Sequence, residues 1–165
     1  MMRRIVADAG PLIALARTGY LHLLRDMLGT VEIPPAVQDE LRLDSNMPGA
    51  AILRVAVRKD RWIRRRALRG PHGSLGLALG AGETEAILLA AERKAVLLVD
   101  ERRGRRAAKA RGIAMIGTAR VLLEAKQRGL IKDVAPALQA LMDSGYRITR
   151  ALHEQILRIA NESEV

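Results

Sequence analysis

The chain has no cysteine and no phenylalanine, one tryptophan and two tyrosines. Without thiols there is no disulfide, no thiolate nucleophile and no zinc–thiolate site. Without phenylalanine, a chain that is 49% hydrophobic must build its core from Leu, Ile, Val and Ala. No apolar run approaches the roughly 20 residues of a membrane span. The opening MMRRIVADAGPLIALA sets basic residues before an apolar stretch, but Asp8, Gly10 and Pro11 interrupt it too early for a signal peptide, so a cytoplasmic protein is expected. Histidine is scarce as well. His22 and His72 have no companion at metal-ligand spacing, and neither is assigned a catalytic role. Acids are outnumbered, with 18 Asp and Glu against 28 Lys and Arg, which leaves a net charge of +10. The excess is chiefly arginine. It reads either as genomic base composition or as the footprint of a polyanion partner, whose phosphates a basic surface attracts from a distance.

At 165 residues the chain is expected to be one domain, 1–165. Residues 79–109, LGAGETEAILLAAERKAVLLVDERRGRRAAK, organise the rest. Gly80 and Gly82 punctuate the start, and from Glu83 to Arg93 the apolar Ala86, Ile87, Ala90 and Ala91 recur at helical spacing. Ala95 to Val99 is too short for a helix and reads as a strand covered on both faces, ending abruptly in Asp100 and Glu101. Carboxylates at the carboxyl end of a buried strand sit where open α/β sheets place their ligands. Glu83 enters its helix in the first turn, where backbone N–H groups can orient it.

The same grammar runs through the chain. Arg4 to Ala7 predicts a strand ended by Asp8, and Pro11 opens a helix that runs to about Leu28 with a loosening near Gly19. Asp8 thus has two readings, a strand-end acid like Asp100 or a plain helix cap worth ~1 kcal/mol. Val31 to Ile33 is a brief strand stopped by Pro34 and Pro35, and the helix that follows to Leu41 carries Asp39, read as solvated, and Glu40, which shares a face with Ala36 and Val37 and so points inward. Pro48 to Val57 reads as helix. Residues 58–69 are heavily basic, with Trp62 and Ile63 as apolar anchors, and read either as a solvated arginine face around a short strand or as a phosphate-contacting surface. Gly70 to Ser74, including His72, form a loop. Beyond Asp100, a basic helix from Arg102 to Arg111, a strand from Ile113 to Ile116, a helix capped by Thr118, and helices at about 133–144 and 149–161, the last capped by Thr149, complete the chain, with Tyr146 and Ile148 joining the core. Alternating strands and helices predict an α/β fold, a parallel sheet of four to five strands with helices on both faces.

The acids at junctions or inward positions are Asp8, Glu40, Glu83 and Asp100, with Glu101 and Glu85 in reserve. Packed like charges disfavour their own ionisation unless a cation compensates. A hard cation such as Mg²⁺ prefers oxygen ligands and can stabilise a phosphoryl transition state. The arginines would hold a nucleic acid beside it.

The stretches IVADAGPLIALA, EIPPAVQDEL, GAGETEAILLA and VLLVDERRGRRAAKARGIAMIGT, in that order, resemble the PIN-domain family of metal-dependent ribonucleases, which includes the toxins of toxin–antitoxin pairs. The resemblance is closest to a prokaryotic branch with GE-x-EAI and D-[DE]-R-x-x-R patterns. It implies a three-layer α/β/α fold, a Mg²⁺ or Mn²⁺ cofactor, RNA as substrate, a small antitoxin as partner and a homodimer. Residue by residue, it places the metal-binding and catalytic acids at Asp8, at Glu40, at Glu83 with Glu85 as the alternative, and at Asp100 or Glu101. Two departures stand out. Ala9 and Gly10 replace a hydroxyl residue usual after the first Asp, which puts one metal–water contact in question, and Glu101 stands where a second Asp is usual. The competing readings are a PIN-like RNA-binding or regulatory protein with little nuclease activity, and a receiver-like phosphorylated domain. The latter expects an acidic pair after the first strand, whereas Asp8 stands alone.

Overall fold

The computed structural model describes residues 3–70, 75 and 79–162. Its sheet is made of short strands: β1 (Ile5–Ala7), β2 (Val31–Ile33) and β4 (Val96–Leu98) form the centre, and β3 (Ile63–Arg65) and β5 (Met115–Ile116) the edges. Every neighbouring pair is parallel, in the order β3-β2-β1-β4-β5. This is the expected α/β/α architecture, and the fifth strand comes from the basic segment 58–69. An edge strand leaves room for side chains to reach water, which is why β3 can carry the exposed Arg64 and Arg65.

α5 (Ala81–Arg93) packs across β1 and β4, flanked by α3 (Pro35–Glu40) and α6 (Arg102–Ala110). The opposite layer holds α1 (Ala9–Thr18), α2 (His22–Leu28), α7 (Thr118–Gln127) and α8 (Ala135–Asp143), with α4 (Ala50–Arg54) against α1 and α9 (Arg150–Ile159) against α7. Alternate strand residues serve alternate layers. Ile5, Leu98 and Ile116 line one small cavity with Leu24, Met27 and Val121, on the side of α2 and α7. The core is aliphatic as expected, centred on residues such as Leu12, Leu15, Leu24, Ile33, Ile87 and Leu97.

Three local expectations need correction. The helix expected to reach Leu28 is two helices, because Gly19 adopts φ 84° and its N–H closes on the Ala16 carbonyl. That left-handed turn is one glycine enters without the Cβ clash of other residues. The helix expected over 48–57 is regular only in α4 and then widens into a single π turn over Val55–Lys59. Thr118 is the first helical residue of α7 rather than its cap, for a reason that belongs to the acid cluster below. Thr149 does cap α9, accepting the Leu152 N–H at 3.1 Å. Pro71, His72, Gly73 and Ser74, read as loop, lie outside the described residues.

The strand order puts the acids together. The chain lays β2 and β3 on one side of β1, then crosses back to place β4 on the other. β1 and β4 are thus adjacent, with Ala7 beside Leu98, and the Asp8 N–H donates to the Leu98 carbonyl at 3.0 Å. Their carboxyl ends border the crevice where the order reverses, the position at which open α/β sheets bind ligands.

Candidate metal centre and its basic grooves

A cavity of about 150 Å³ opens at this switch point, lined by Asp8, Glu40, Glu83, Asp100 and Glu101 together with Gly10 and Pro11. All five acids proposed from sequence as metal-binding therefore border one space. Each arrives from a different element end. Asp8 stops β1 and at the same time caps α1, accepting the Ala9 N–H at 2.9 Å, so both of its sequence readings hold at once. It is only 6% exposed. Burial, and after it the neighbouring charges of Glu83, Glu40 and Glu101, raise its pKa to about 7 against the opposing Ala9 hydrogen bond.

Glu83 sits in the first turn of α5 and reaches back to the backbone N–H of Gly80, as a third-position acid does in a capping box. Burial and the Glu101 charge raise its pKa, against the Gly80 hydrogen bond and Arg103. Its second oxygen, Oε2, is buried and has no hydrogen-bond partner among the described residues. An orphaned carboxylate oxygen facing other acids costs free energy that folding alone does not recover. Glu40, expected to turn inward, is exposed as a residue, yet its carboxylate bends over the start of α5 and accepts the Gly82 N–H at 3.0 Å. Glu85 turns away and meets the Ala36 N–H at the start of α3, at 3.5 Å.

Glycines set the spacing. A Cβ on Gly82 would overlap the Glu40 carboxylate, and one on Gly104 of α6 would come within 3.0 Å of Glu83 Oε2. The acids approach backbone here at a distance that only a missing side chain permits. The sequence marked Gly82 as helix punctuation and left Gly104 unremarked.

Asp100 is placed differently. Its Oδ1 accepts the Thr118 N–H at 2.8 Å and the Tyr146 hydroxyl at 2.9 Å, and its Oδ2 accepts the Thr118 hydroxyl at 2.5 Å. It caps α7 from across the sheet, which is why Thr118 need not. Burial and then Asp100 itself hold the Tyr146 phenol well above its ordinary pKa, so it stays a donor. Glu101 stands at the N-cap position of α6, makes no side-chain cap, and points its charge at Asp8 and Glu83.

The donor set is all oxygen, one buried acid has its pKa raised by burial and then by its acidic neighbours, and another keeps an unpartnered oxygen. These features fit a hard divalent cation. Among the described residues no group of three or more His, Cys, Asp or Glu side chains is arranged to hold a metal ion as it stands.

Two larger basic grooves flank the acids. One, of about 750 Å³, is bordered by Arg17, Arg102, Arg103 and Arg147; the other, of about 830 Å³, by Arg102, Arg105, Arg106, Lys109, Arg120 and Arg147. Asp100, Arg102, Tyr146 and Arg147 line both, so the grooves meet at the edge of the acid cavity. None of the described arginines of 58–69 borders any of these three cavities; Arg58 pairs with Asp44 at 2.7 Å and Arg66 with Glu32 at 2.6 Å. Sequence reading missed Tyr146 as an acid partner, and Arg17, Arg120 and Arg147 as groove walls. Nothing local in the sequence marks them, because only the fold brings the turn before α9 to the end of β4.

The family model DUF3368, described as a PIN domain, matches residues 4–162. No curated protein matches. Among solved structures, a PilT N-terminus domain protein, SSO1118, from the hyperthermophilic archaeon Sulfolobus solfataricus P2 superposes with a TM-score of 0.53 at 18% identity, over 73% of this chain and 92% of that one. A domain of a functionally unknown protein from Methanocaldococcus jannaschii gives a TM-score of 0.47 at 22% identity, over 70% of this chain and 90% of that one.

Proposed function

From the premise that this chain belongs to the PIN-domain family, whose fold is typically that of a nuclease, we propose that it is a divalent-metal-dependent endoribonuclease using Mg²⁺ or Mn²⁺. The observation that carries the reading is the pairing of buried Asp8 with the orphaned Glu83 oxygen, at a switch point bordered by basic grooves.

Asp8, Glu40 and Glu83, with Asp100 or Glu101 after β4, are the residues that would hold the ion. When bound, a divalent cation activates a water and neutralises charge developing on a phosphate. The chain supplies the rest. Asp8, whose protonated form burial favours, would take the ion as the ionised carboxylate, with Oδ1 still accepting the Ala9 N–H. Glu83 offers Oε2, and Gly80 keeps the other oxygen in register. Arg102 and Arg147, common to both grooves, take phosphates on either side of the scissile bond, and their charge makes binding salt-dependent.

The test is cleavage of RNA with Mn²⁺ by wild type beside Asp8→Ala and Glu83→Gln. Metal-dependent cleavage absent from both variants supports the reading; equal cleavage in all three assigns it to a contaminant and sinks it. A second reading, an RNA-binding protein with little nuclease activity, draws on Asp100, whose oxygens are already engaged by Thr118 and Tyr146. It predicts RNA binding without Mn²⁺ uptake.

The biological setting we propose is a cytoplasmic toxin, working as a homodimer and neutralised by a small antitoxin. No helix among the described residues is long and apolar enough to cross a membrane. Exposed Met47, Ile52 and Val55 near α4 offer an apolar surface for a protein partner. Growth arrest on induction, relieved by Asp8→Ala and by a neighbouring small gene, supports the toxin role; unimpaired growth with an active nuclease argues against it.

A further inference from the structure

We infer that the two adjacent acids after β4 have separate tasks: Glu101 completes the cation site with Asp8, Glu40 and Glu83, while Asp100 is a positioning residue that locks α7 and the Tyr146 turn into the walls of the basic grooves. The inference rests on the nuclease reading and divides its acids in a way the sequence left open.

The hydrogen bonds carry the argument. Asp100 faces three donors from two distant segments, the N–H and hydroxyl of Thr118 and the hydroxyl of Tyr146. Thr118 is fully buried and Tyr146 is partly so, which keeps water from competing for these bonds. A carboxylate already accepting from three donors has less to give a cation, and drawing it toward the cavity would uncap α7 and leave the Thr118 hydroxyl unpaired inside the protein. The neighbouring backbone tightens the same seam: Arg105 donates to the Val99 carbonyl at 2.8 Å, and a Cβ on Gly117 would stand 3.1 Å from Asp100 Oδ1.

Glu101 is the opposite case. Its carboxylate accepts no hydrogen bond from the described residues, it lines the cavity, and its charge is felt by both Asp8 and Glu83. The longer side chain at 101 matches this geometry, since Glu101 stands three residues beyond the end of β4, at the start of α6.

Tyr146 and Arg147 are adjacent in the turn that lines both grooves. Holding Tyr146 therefore holds Arg147 where RNA phosphates would pass. The two acids should separate cleanly in two assays on the full-length protein: Mn²⁺ titration by calorimetry, and anisotropy of a labelled single-stranded RNA oligonucleotide in EDTA. Glu101→Gln should weaken Mn²⁺ binding by about tenfold or more without weakening RNA binding in EDTA, since it also removes a negative charge from the wall of the first groove. Tyr146→Phe, which keeps the ring and removes only the hydroxyl, should weaken RNA binding by about threefold and leave Mn²⁺ affinity unchanged. Asp100→Asn should resemble Tyr146→Phe, with a lower melting temperature. If Asp100→Asn does not fold, Tyr146→Phe still decides the matter. Loss of Mn²⁺ affinity in Asp100→Asn or Tyr146→Phe equal to that in Glu101→Gln would overturn the inference and leave the nuclease reading standing. A wild type that takes up no Mn²⁺ would overturn both.

Discussion

Two carboxylates sit buried on central strands of this protein, and their surroundings are opposites. Glu32, in the middle of β2, is 5% exposed and gathers arginine: Arg66 at 2.6 Å, Arg93 at 3.0 Å and Arg4 at 3.9 Å. Asp8, at the end of β1, is 6% exposed and gathers acids. The same sheet thus buries one negative charge with a surplus of positive partners and another with none. A buried ion pair is a device for holding structure, and breaking it strands a charge. A buried acid among acids is something a fold keeps only for what it will bind or do. In a chain with net charge +10, where arginine is never far away, the missing counterion at Asp8 is the informative feature.

The comparison can be broken most decisively at the acid pole. Glu83→Gln and Asp8→Asn are each expected to cut Mn²⁺-dependent cleavage by on the order of 10²-fold or more, with the metal-free melting temperature unchanged or higher, because a repulsion is removed. A large fall in metal-free stability would show that these acids hold the fold as Glu32 does. At the arginine pole, Glu32→Gln should do the reverse. It is expected to cost about 2 kcal/mol in denaturant unfolding, less than for a fully enclosed pair since Arg4 and Arg66 are half in water, and to leave cleavage per folded molecule intact.

pH separates the poles without mutation. The folded pKa of Asp8, about 7, lies above its ordinary value of 3.8, so the fold favours the protonated form. Its contribution is complete below about pH 4 and is lost as pH rises through about 7, up to ~4 kcal/mol in metal-free protein. Melting temperatures across that window, with and without Mn²⁺, should show the loss and its repair by the ion, since binding needs the ionised form. A melting temperature that rises steadily toward pH 7 in EDTA, and does so equally in wild type and Asp8→Asn, would contradict the assignment.

The smallest effect sharpens the contrast with a third acid. Burial alone would raise the Glu162 carboxyl, but Lys126 at 2.8 Å and the N–H groups of Ala135 and Val134 win and lower it. Its contribution is present above the ordinary carboxylate range and lost as pH falls, opposite in sign to Asp8. Glu162→Gln should therefore cost about 1 kcal/mol at neutral pH and less near pH 3, read from urea midpoints.

Much of this was legible from local chemistry. Asp8 and Glu83 lie beside glycines and helix starts that announce a junction, Glu40 shares a helix face with Ala36 and Val37, and junction acids of a parallel sheet converge because the strand order makes them. The fold followed for the same reason, since short strands alternating with helices leave few arrangements. What escaped was decided at long range. What engages the Asp100 carboxylate is Tyr146, 46 residues further along, and Thr118, 18 along. Glu32 passed as the middle of a brief strand, because no pattern within three residues reveals that Arg66 and Arg93 will close over it. The basic segment 58–69 drew attention by composition, yet its described arginines border other faces, while solitary Arg17 and Arg147 line a groove. Charge density along a chain is a poor guide to charge density in space.

β1 pairs with β4 through Val6 and Leu97, and no shorter path along the chain encloses Asp8. During synthesis the first strand leaves the ribosome early and waits while most of the molecule is made, since contacts so distant in sequence form late. Until then Asp8 is an ordinary solvated carboxylate with no reason to hold a proton or an ion. The chemistry proposed for this site is thus timed by topology: the cluster of acids comes together only once β4 and α6 have been made.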